Sequence, residues 1–336
     1  MSKILFSILL IVATLSAQAY QPISDDRMYQ LLKEFDYTPE VQVLNVIKPT
    51  CELQDIQYTT TYPQLEGKLT INAKLVVPAI ANAPLIIILP PLGGASTLDV
   101  STAQTFCHNN MAAILITSNL TGLDQDELVP VTDHDHTVRR VASAVKGGMI
   151  VARDYPQINL KKVGIFGASL GGILGSVAYA VIPEISAGAF VVNGGDVPHI
   201  LATSDQSPVV NLKKKRKAQM GISTDEQYEK YLNENMTMDP LHFAKLIRPE
   251  ATKLFLSKND QSVPTEDQML FYNAIGVPAE TKFYTSGHVA TIISVLGLSD
   301  GKQKTAEWFL KRFALPNPRS GDNFSKRDQF TDSSHF

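Results

Sequence analysis

Short apolar segments alternate with longer mixed stretches over most of the chain. Continuous apolar runs predict strands that are covered on both faces of a sheet, at 85–89, 111–116, 163–166, 189–192 and 253–257. Helix-like segments separate these runs, and strands that alternate with helices are typical of a parallel sheet with right-handed crossovers. The pattern therefore predicts an α/β domain.

The chain before these runs has a different pattern. Ile56, Tyr58 and Thr60 alternate with other side chains, and so do five apolar residues between 69 and 77. A proline and a glycine separate the two segments, which predicts an antiparallel pair at the start of the sheet. Further upstream, apolar residues at helical spacing within 28–35 predict a short amphipathic helix.

One short motif carries the strongest chemical signal. Residues 167–171 read Gly-Ala-Ser-Leu-Gly, directly after the apolar run 163–166 and directly before the helix-like run 172–178. A strand, a sharp turn and a helix are the setting that a G-x-S-x-G nucleophile elbow requires. Such a turn exposes the Ser169 hydroxyl above a helix N-terminus, which favours developing negative charge. The alternative is an ordinary turn that happens to contain serine.

A serine nucleophile needs a base and an acid that orients the base. Asp260 follows the buried strand 253–257, and His288 follows a second short strand, so the chain order is Ser169, Asp260, His288. Asp196, after the strand 189–192, is a rival for the acid. The strand-loop-Val-Pro context around Asp260 favours Asp260 over this rival.

The elbow and the order of the three residues resemble the α/β-hydrolases, and within them the dienelactone-hydrolase and acetyl-esterase-like group. The resemblance covers roughly residues 52–315. It implies an α/β-hydrolase fold over residues 20–315, with a mostly parallel central sheet, helices on both faces and a small helical cap insertion. Residues 197–247 interrupt the alternation of strands and helices, and we expect them to form the cap near the mouth of the active site.

An oxyanion hole needs two backbone N–H groups. One is expected from Leu170, the residue after the nucleophile, and the other from the loop after the strand 85–89. Hydrolases of this fold usually carry His-Gly in that loop, whereas this chain has Pro90 and Pro91. Because proline has no N–H, we expect Leu92 to be the donor, with Gly93 as the second choice.

The first residues predict a compartment. Lys3 precedes a nearly continuous apolar run at 4–15, and a small-residue pattern ends at Ala19. This is the pattern of a signal peptide spanning residues 1–19, so the mature protein is expected to be secreted or periplasmic, with no transmembrane anchor after cleavage. In an oxidising compartment Cys51 and Cys107 can pair, but nothing in the sequence decides whether they meet.

Composition narrows the class further. The 336-residue chain is 44% hydrophobic and 19% charged with a net charge of −3, so it is an ordinary globular chain with no indication of nucleic-acid binding. The basic run 213–217 predicts a solvated helix face; the alternative is attraction to anionic lipid or polysaccharide. Residues 316–336 are polar without periodicity and predict a disordered tail. The sequence does not indicate an oligomeric state.

A cluster at 133–136 reads Asp-His-Asp-His, and two histidines beside carboxylates are a pattern that can bind a metal. It is expected in a loop before the helix that precedes the elbow. A serine hydrolase needs no metal and no cofactor, so the favoured interpretation is that Asp135 or Thr137 caps that helix while His134 or His136 faces the substrate cleft.

Together these patterns predict a serine hydrolase that cleaves a carboxylic ester through an acyl-enzyme. The substrate class is a small-molecule, lipid or polysaccharide ester. A peptidase of the same fold and a catalytically silent hydrolase fold used for binding are the alternatives.

Overall fold

The structure is a computed structural model that describes residue 20 and residues 23–45, 47–64, 67–120, 133–278, 280–298 and 300–314. The predicted signal peptide and the predicted tail beyond residue 315 lie outside the described residues. No helix in these ranges is long and apolar enough to cross a bilayer.

Nine strands form one sheet, in the order β1-β2-β3-β5-β4-β6-β7-β8-β9. The strands are β1 (Gln42–Val43), β2 (Gln54–Thr60), β3 (Leu69–Val76), β4 (Ala83–Leu89), β5 (Ala112–Ile116), β6 (Ile158–Ala168), β7 (Ile185–Val191), β8 (Thr252–Ser257) and β9 (Glu280–Tyr284). Pairing is antiparallel from β1 through β3 to β5. It is parallel from β5 through β4 to β9. The sheet is therefore mostly parallel, as the sequence predicts.

Helices connect the strands and close the chain. They are α1 (Asp25–Lys33), α2 (Thr97–His108), α3 (Asp133–Val151), α4 (Leu170–Val181), α5 (Val197–Thr203), α6 (Ser207–Met220), α7 (Asp225–Asn235), α8 (Pro240–Phe243), α9 (Thr265–Ala274), α10 (His288–Ile293) and α11 (Gly301–Ala314). Short 3-10 turns lie at Ala152–Asp154, Ala244–Leu246 and Pro249–Ala251, and a π-helical turn lies at Ser294–Leu298.

The core lies on both faces of the sheet. In β4, Leu85, Ile87 and Leu89 belong to one cluster with residues of α3 and α4. Ile86 and Ile88 belong to a second cluster with residues of α2 and α11. Successive side chains of a strand point to opposite faces, so a strand covered on both sides needs apolar residues at every position. This is the physical reason for the continuous apolar runs.

The antiparallel pair expected near the start of the sheet is confirmed as β2 and β3, in register from Gln54 opposite Leu75 to Thr60 opposite Leu69. The short edge strand β1 was not predicted, because two residues carry no periodic signal. The loop placement of the cluster 133–136 is wrong, since these residues form the first turn of α3.

The segment 197–247, predicted to form the cap, is largely helical, and its two ends pack in different clusters. Residues of α5 and α7, among them Ile200, Tyr228 and Leu232, form a small separate cluster together with Ile173 of α4 and Val263. By contrast, Leu241 and Phe243 of α8 belong to the main core cluster beside the sheet. Packing therefore divides the insertion into a cap formed by α5–α7 and a scaffold segment that begins near α8.

The basic run 213–217 lies in α6 and is only partly a solvated face. Lys213 and Lys217 donate to the carboxylate of Asp225 at 2.8 and 2.5 Å, which ties α6 to the start of α7. Arg216 is buried, and only Lys214 and Lys215 of the run are exposed. Most of the positive charge of this run is therefore used inside the cap.

Cys51 and Cys107 form a disulfide, which answers the question that the sequence leaves open. The bond joins the segment before β2 to the last turn of α2 across a separation of 56 residues. Closing a loop of this length in the unfolded chain removes entropy equivalent to about 4 kcal/mol in the chain-entropy description.

We expect the double variant Cys51→Ser, Cys107→Ser to lose about 2–4 kcal/mol of unfolding free energy, because its unfolded chain is no longer cross-linked. Urea unfolding with and without a thiol reductant measures this. Reductant should destabilise the natural chain and leave the double variant unchanged. Equal stability of the two proteins in the absence of reductant would contradict the prediction.

Candidate active site

Ser169 lies at the junction between β6 and α4, in a backbone conformation that L-residues rarely adopt. Its φ is 52° and its ψ is −125°. The Ser169 N–H donates to the Val191 carbonyl at 2.8 Å, which fixes the turn to the neighbouring strand. Strained non-glycine residues persist only where their surroundings hold them, and they concentrate at functional sites. The predicted elbow is present in its predicted setting.

The two glycines of the motif are required by close backbone packing. A Cβ atom at Gly171 would lie 2.2 Å from the Leu89 carbonyl oxygen, and one at Gly167 would lie 2.2 Å from the Gly171 carbonyl oxygen. Neither contact is possible for any other residue. The absence of both side chains brings the first turn of α4 directly against the end of β4.

The structure brings the three residues of the predicted triad together. His288 Nε2 lies 2.8 Å from Ser169 Oγ, and His288 Nδ1 lies 2.7 Å from Asp260 Oδ2. All three residues are buried. Because a carboxylate only accepts hydrogen bonds, the proton is assigned to Nδ1, and Nε2 is left to accept from the serine hydroxyl.

Asp260 is held by four N–H donors. The backbone N–H groups of Ser262 and Val263 donate to Oδ1 at 2.9 and 3.0 Å. Oδ2 accepts from His288 and from the side-chain amide of Gln268, the latter at 2.9 Å. With these bonds the carboxylate has one orientation, and that orientation faces the histidine.

Gln268 is a residue that the sequence interpretation missed. It is fully buried in α9, and its amide nitrogen also donates to the Val263 carbonyl while its oxygen accepts from the Ser257 N–H. One side chain thus links β8, the loop after it and the acid. The sequence carries no specific signal for this role, because a glutamine within a helix is most often a surface residue.

The loops that carry the acid and the histidine are bonded to each other. The side-chain amide of Asn259 donates to the Thr285 carbonyl at 2.5 Å, and the Lys258 N–H donates to the Tyr284 carbonyl at 2.8 Å. The Ser257 hydroxyl donates to the Ser286 carbonyl. Pairing of β8 with β9 continues into these contacts, so the positions of Asp260 and His288 are set together.

Asp196, the rival acid, does not contact His288 and has a different role. It precedes α5 with a left-handed backbone, φ 58°, and its side chain accepts from the His199 N–H at 3.2 Å as an N-cap. Burial, and then the nearby charge of Asp239, raise the pKa of Asp196 to about 6. His288 Nδ1 is paired with Asp260 and not with Asp196, so Asp196 does not orient the histidine in this structure.

A histidine–carboxylate pair joins the base of the cap to α9. His199 Nδ1 lies 2.9 and 3.0 Å from the two oxygens of Asp267. Burial alone favours a neutral Asp267 and raises its pKa, whereas the hydrogen bonding favours the ion pair. The two-oxygen geometry decides for the ion pair, and hydrogen bonding to Asp267 raises the pKa of His199 to about 9.

A cavity opens above Ser169, between the sheet and the cap. Leu92 and Leu170, the expected oxyanion donors, lie at its edge together with Ser169, and helices α5 and α6 cover it. Pro91 and Gly94 close a tight turn through a 3.1 Å hydrogen bond beside Leu92. The cap residues that line the cavity, Val197, Ile200, Leu201, Val209 and Leu212, were not singled out from the sequence.

The cluster 133–136 faces the same region. His134 lines the cavity, and its Nε2 lies 3.2 Å from the Met238 carbonyl. Asp135 does not cap α3 but accepts from the N–H groups of Thr237 and Met238 at 3.1 and 3.0 Å. Among the residues that the structure describes, no group of three or more His, Cys, Asp or Glu side chains is placed to hold a metal ion.

No protein-family model matches the sequence, and no curated protein sequence matches it. Solved structures do. The chain is similar to acetyl xylan esterase 1 from a Thermoanaerobacterium species, with a TM-score of 0.62 and 15% identity over 87% of this chain and 93% of that one. It is also similar to an acetyl xylan esterase from a Paenibacillus species, with a TM-score of 0.61 and 15% identity over 85% of this chain and 92% of that one.

The chain has the α/β-hydrolase fold. An acylaminoacyl peptidase from Pyrococcus horikoshii is also similar, with a TM-score of 0.52 and 17% identity over 80% of this chain and 42% of that one. At these identities the likeness concerns the fold. Proteins of one fold can catalyse different reactions, so the chemistry of this chain depends on the residues of its site.

We expect Asp260→Asn to lower kcat/KM by about three to four orders of magnitude, because an amide in this position mis-sets the tautomer of His288. Asp196→Asn should change it by less than about threefold, since asparagine retains the N-cap. Steady-state hydrolysis of a chromogenic ester by the two purified variants measures both effects. A larger loss with Asp196→Asn would show that the acid is assigned to the wrong strand.

Asp196→Asn should also change how stability depends on pH. Because the pKa of Asp196 is raised to about 6 from 3.8, its contribution to stability is complete below about pH 4 and is lost as the pH rises through 6. Urea unfolding should therefore show the variant to be about 1–3 kcal/mol more stable than the natural chain at pH 8, and equal to it at pH 4.

Asp225→Asn is the matched control, because it should change the stability at pH 8 in the opposite direction. Hydrogen bonds from Lys213 and Lys217 lower the pKa of Asp225, so its contribution is present at neutral pH and lost on acidification. This variant should be less stable than the natural chain at pH 8. The same sign for both variants would contradict the assignment.

Proposed function

We propose that this protein is a serine hydrolase that cleaves carboxylic esters through an acyl-enzyme. The observation that supports the proposal most directly is the unbroken hydrogen-bonded chain from Ser169 through His288 to Asp260, with the serine on a strained turn. A polar chain of this kind, fully assembled at buried positions, is the arrangement that activates a hydroxyl nucleophile.

In this mechanism Ser169 Oγ attacks the ester carbonyl carbon while His288 Nε2 accepts the hydroxyl proton. The tetrahedral intermediate collapses, and His288 returns the proton to the departing alcohol oxygen. Water then attacks the acyl-enzyme with His288 again acting as the base, which releases the acid and restores the Ser169 hydroxyl. Asp260 keeps the imidazole in one tautomer and stabilises the imidazolium that forms in each step.

Two backbone N–H groups are proposed to stabilise the oxyanion. The Leu170 N–H lies in the first turn of α4, where the Ser169 carbonyl already accepts from Gly172 and Ile173. The first N–H groups of a helix have no partner within it, so that of Leu170 is available to a ligand. Leu92 is the corresponding donor on the β4 side, because Pro90 and Pro91 have no N–H to offer.

We further propose a secreted or periplasmic location, with residues 1–19 acting as a cleaved signal peptide. The Cys51–Cys107 disulfide supports an oxidising compartment. The proposed chemistry needs no cofactor, and the proposed substrate is a small-molecule, lipid or polysaccharide ester.

The test compares two serine variants, one at the junction between β6 and α4 and one within α4. Ser169→Ala should lose about three or more orders of magnitude in ester turnover and should no longer react with a fluorophosphonate probe, because the acyl-enzyme cannot form. Ser176→Ala is the control: Ser176 lies on α4, and its hydroxyl donates to the Ile173 carbonyl, away from the triad.

Retention of most ester hydrolysis by folded Ser169→Ala would overturn the proposal. If the natural protein neither reacts with the fluorophosphonate probe nor hydrolyses any ester, the result would instead support a catalytically silent fold. A p-nitroanilide that matches the best ester should be cleaved far more slowly, and faster cleavage of the anilide would favour the peptidase alternative.

A further inference from the structure

We propose that the cavity above Ser169 is an acyl pocket for a short aliphatic chain of about four or five carbons, and that Val209 and Leu212 set its depth. This inference rests on the proposed ester hydrolysis and names its substrate class. It makes acetyl esters poor substrates, and it places any sugar outside the cavity.

Five residues of the cap wall are apolar: Val197, Ile200, Leu201, Val209 and Leu212. Ile200 of α5 and Val209 and Leu212 of α6 line the cavity opposite Ile173 and Leu170 of α4. On α6 the two residues are three positions apart and lie on one face of the helix, and both are buried. Methyl and methylene groups of these residues therefore form two facing sides of the space that a group attached to Ser169 would enter.

Four of the polar side chains that line the cavity are already bonded to protein. Arg216 donates to the Tyr228 hydroxyl at 3.3 Å, and the Ser262 hydroxyl donates to Asp205 at 2.6 Å. Asp133 pairs with Arg140 at 3.1 Å, and His134 is bonded to the Met238 carbonyl. A sugar in this space would have to break these bonds to satisfy its hydroxyls, whereas an alkyl chain needs none of them.

The position of the histidine assigns the cavity to the acyl group. Ser169 lines the cavity, but His288 is not among the described residues that line it. The departing alcohol oxygen must receive its proton from His288, so the alcohol leaves on the histidine side. The acyl chain, which remains on Ser169 after the first step, then occupies the cavity beneath α5 and α6.

The size of the cavity sets the chain length. Its volume is about 80 Å³. A cavity of roughly 150 Å³ binds benzene, so this one accommodates about three or four carbon atoms. With the carbonyl carbon at Ser169, three or four further carbons correspond to butyryl or pentanoyl.

The experiment measures kcat/KM for p-nitrophenyl acetate, butyrate, hexanoate and decanoate with the purified full-length protein. Burial of each methylene should raise kcat/KM about fourfold, so butyrate should exceed acetate by about tenfold or more, and decanoate should fall again. Ethyl butyrate and butyl acetate, which are isomers, separate the acyl from the alcohol side: ethyl butyrate should be the better substrate by about tenfold.

Two variants should change the preferred acyl-chain length in opposite directions. Val209→Trp fills the cavity and should lower the butyrate-to-acetate ratio at least fivefold, whereas Leu212→Ala deepens it and should move the optimum about two carbons longer. Lys214→Trp is the control, because Lys214 is exposed on the same helix, and it should leave the ratio unchanged within about twofold.

Stoichiometric labelling of Ser169 by a small fluorophosphonate separates the two levels of the argument. Labelled protein that prefers acetate, or prefers butyl acetate to ethyl butyrate, overturns the acyl pocket and leaves ester hydrolysis intact. Equal profiles for Val209→Trp and Lys214→Trp overturn it as well. Absence of both labelling and ester turnover in the natural protein overturns the proposed function and this inference together.

Discussion

The active site depends on one contact in which two pieces of backbone meet with no side chain between them. The first turn of α4 lies so close to the end of β4 that a Cβ atom at Gly171 would overlap the carbonyl oxygens of Leu89 and Pro90. This approach places the start of α4 beside the loop that carries Leu92. Ser169, directly before this turn of α4, has a positive φ of 52°, a conformation that persists only where the surroundings hold it.

Asp260 and His288, the proposed acid and base, are held by a network of buried hydrogen bonds. Every oxygen of the Asp260 carboxylate is engaged by N–H groups, and Gln268 connects that carboxylate to the strand from which its loop emerges. In a buried setting a polar group left without a partner is costly, so a fully satisfied network has one low-energy arrangement. That arrangement points His288 at Ser169.

The cap is joined to this network at its base. The Ser262 hydroxyl donates to Asp205, between α5 and α6, and the Asp205 N–H donates to the Gln261 carbonyl, in the loop that holds Asp260. The His199–Asp267 pair fixes α5 to α9 a short distance away. The same loop thus orients Asp260, the proposed acid, and anchors the cap over the cavity, so the cavity and the proposed triad are positioned by shared contacts.

The sequence by itself determined the elements whose signals are local. Continuous apolar runs indicated strands such as β4 because burial on both faces requires them, and the strand–Ser–helix context indicated Ser169. The order of Asp260 and His288 after the last strands indicated the triad. Tertiary structure alone decided features that depend on which distant residues meet. Three features are of this kind: the pairing of Cys51 with Cys107, the contact of Gln268 with Asp260, and the division of the insertion between cap and core. Hydrophobic periodicity describes one element at a time, so it does not indicate which element packs against it.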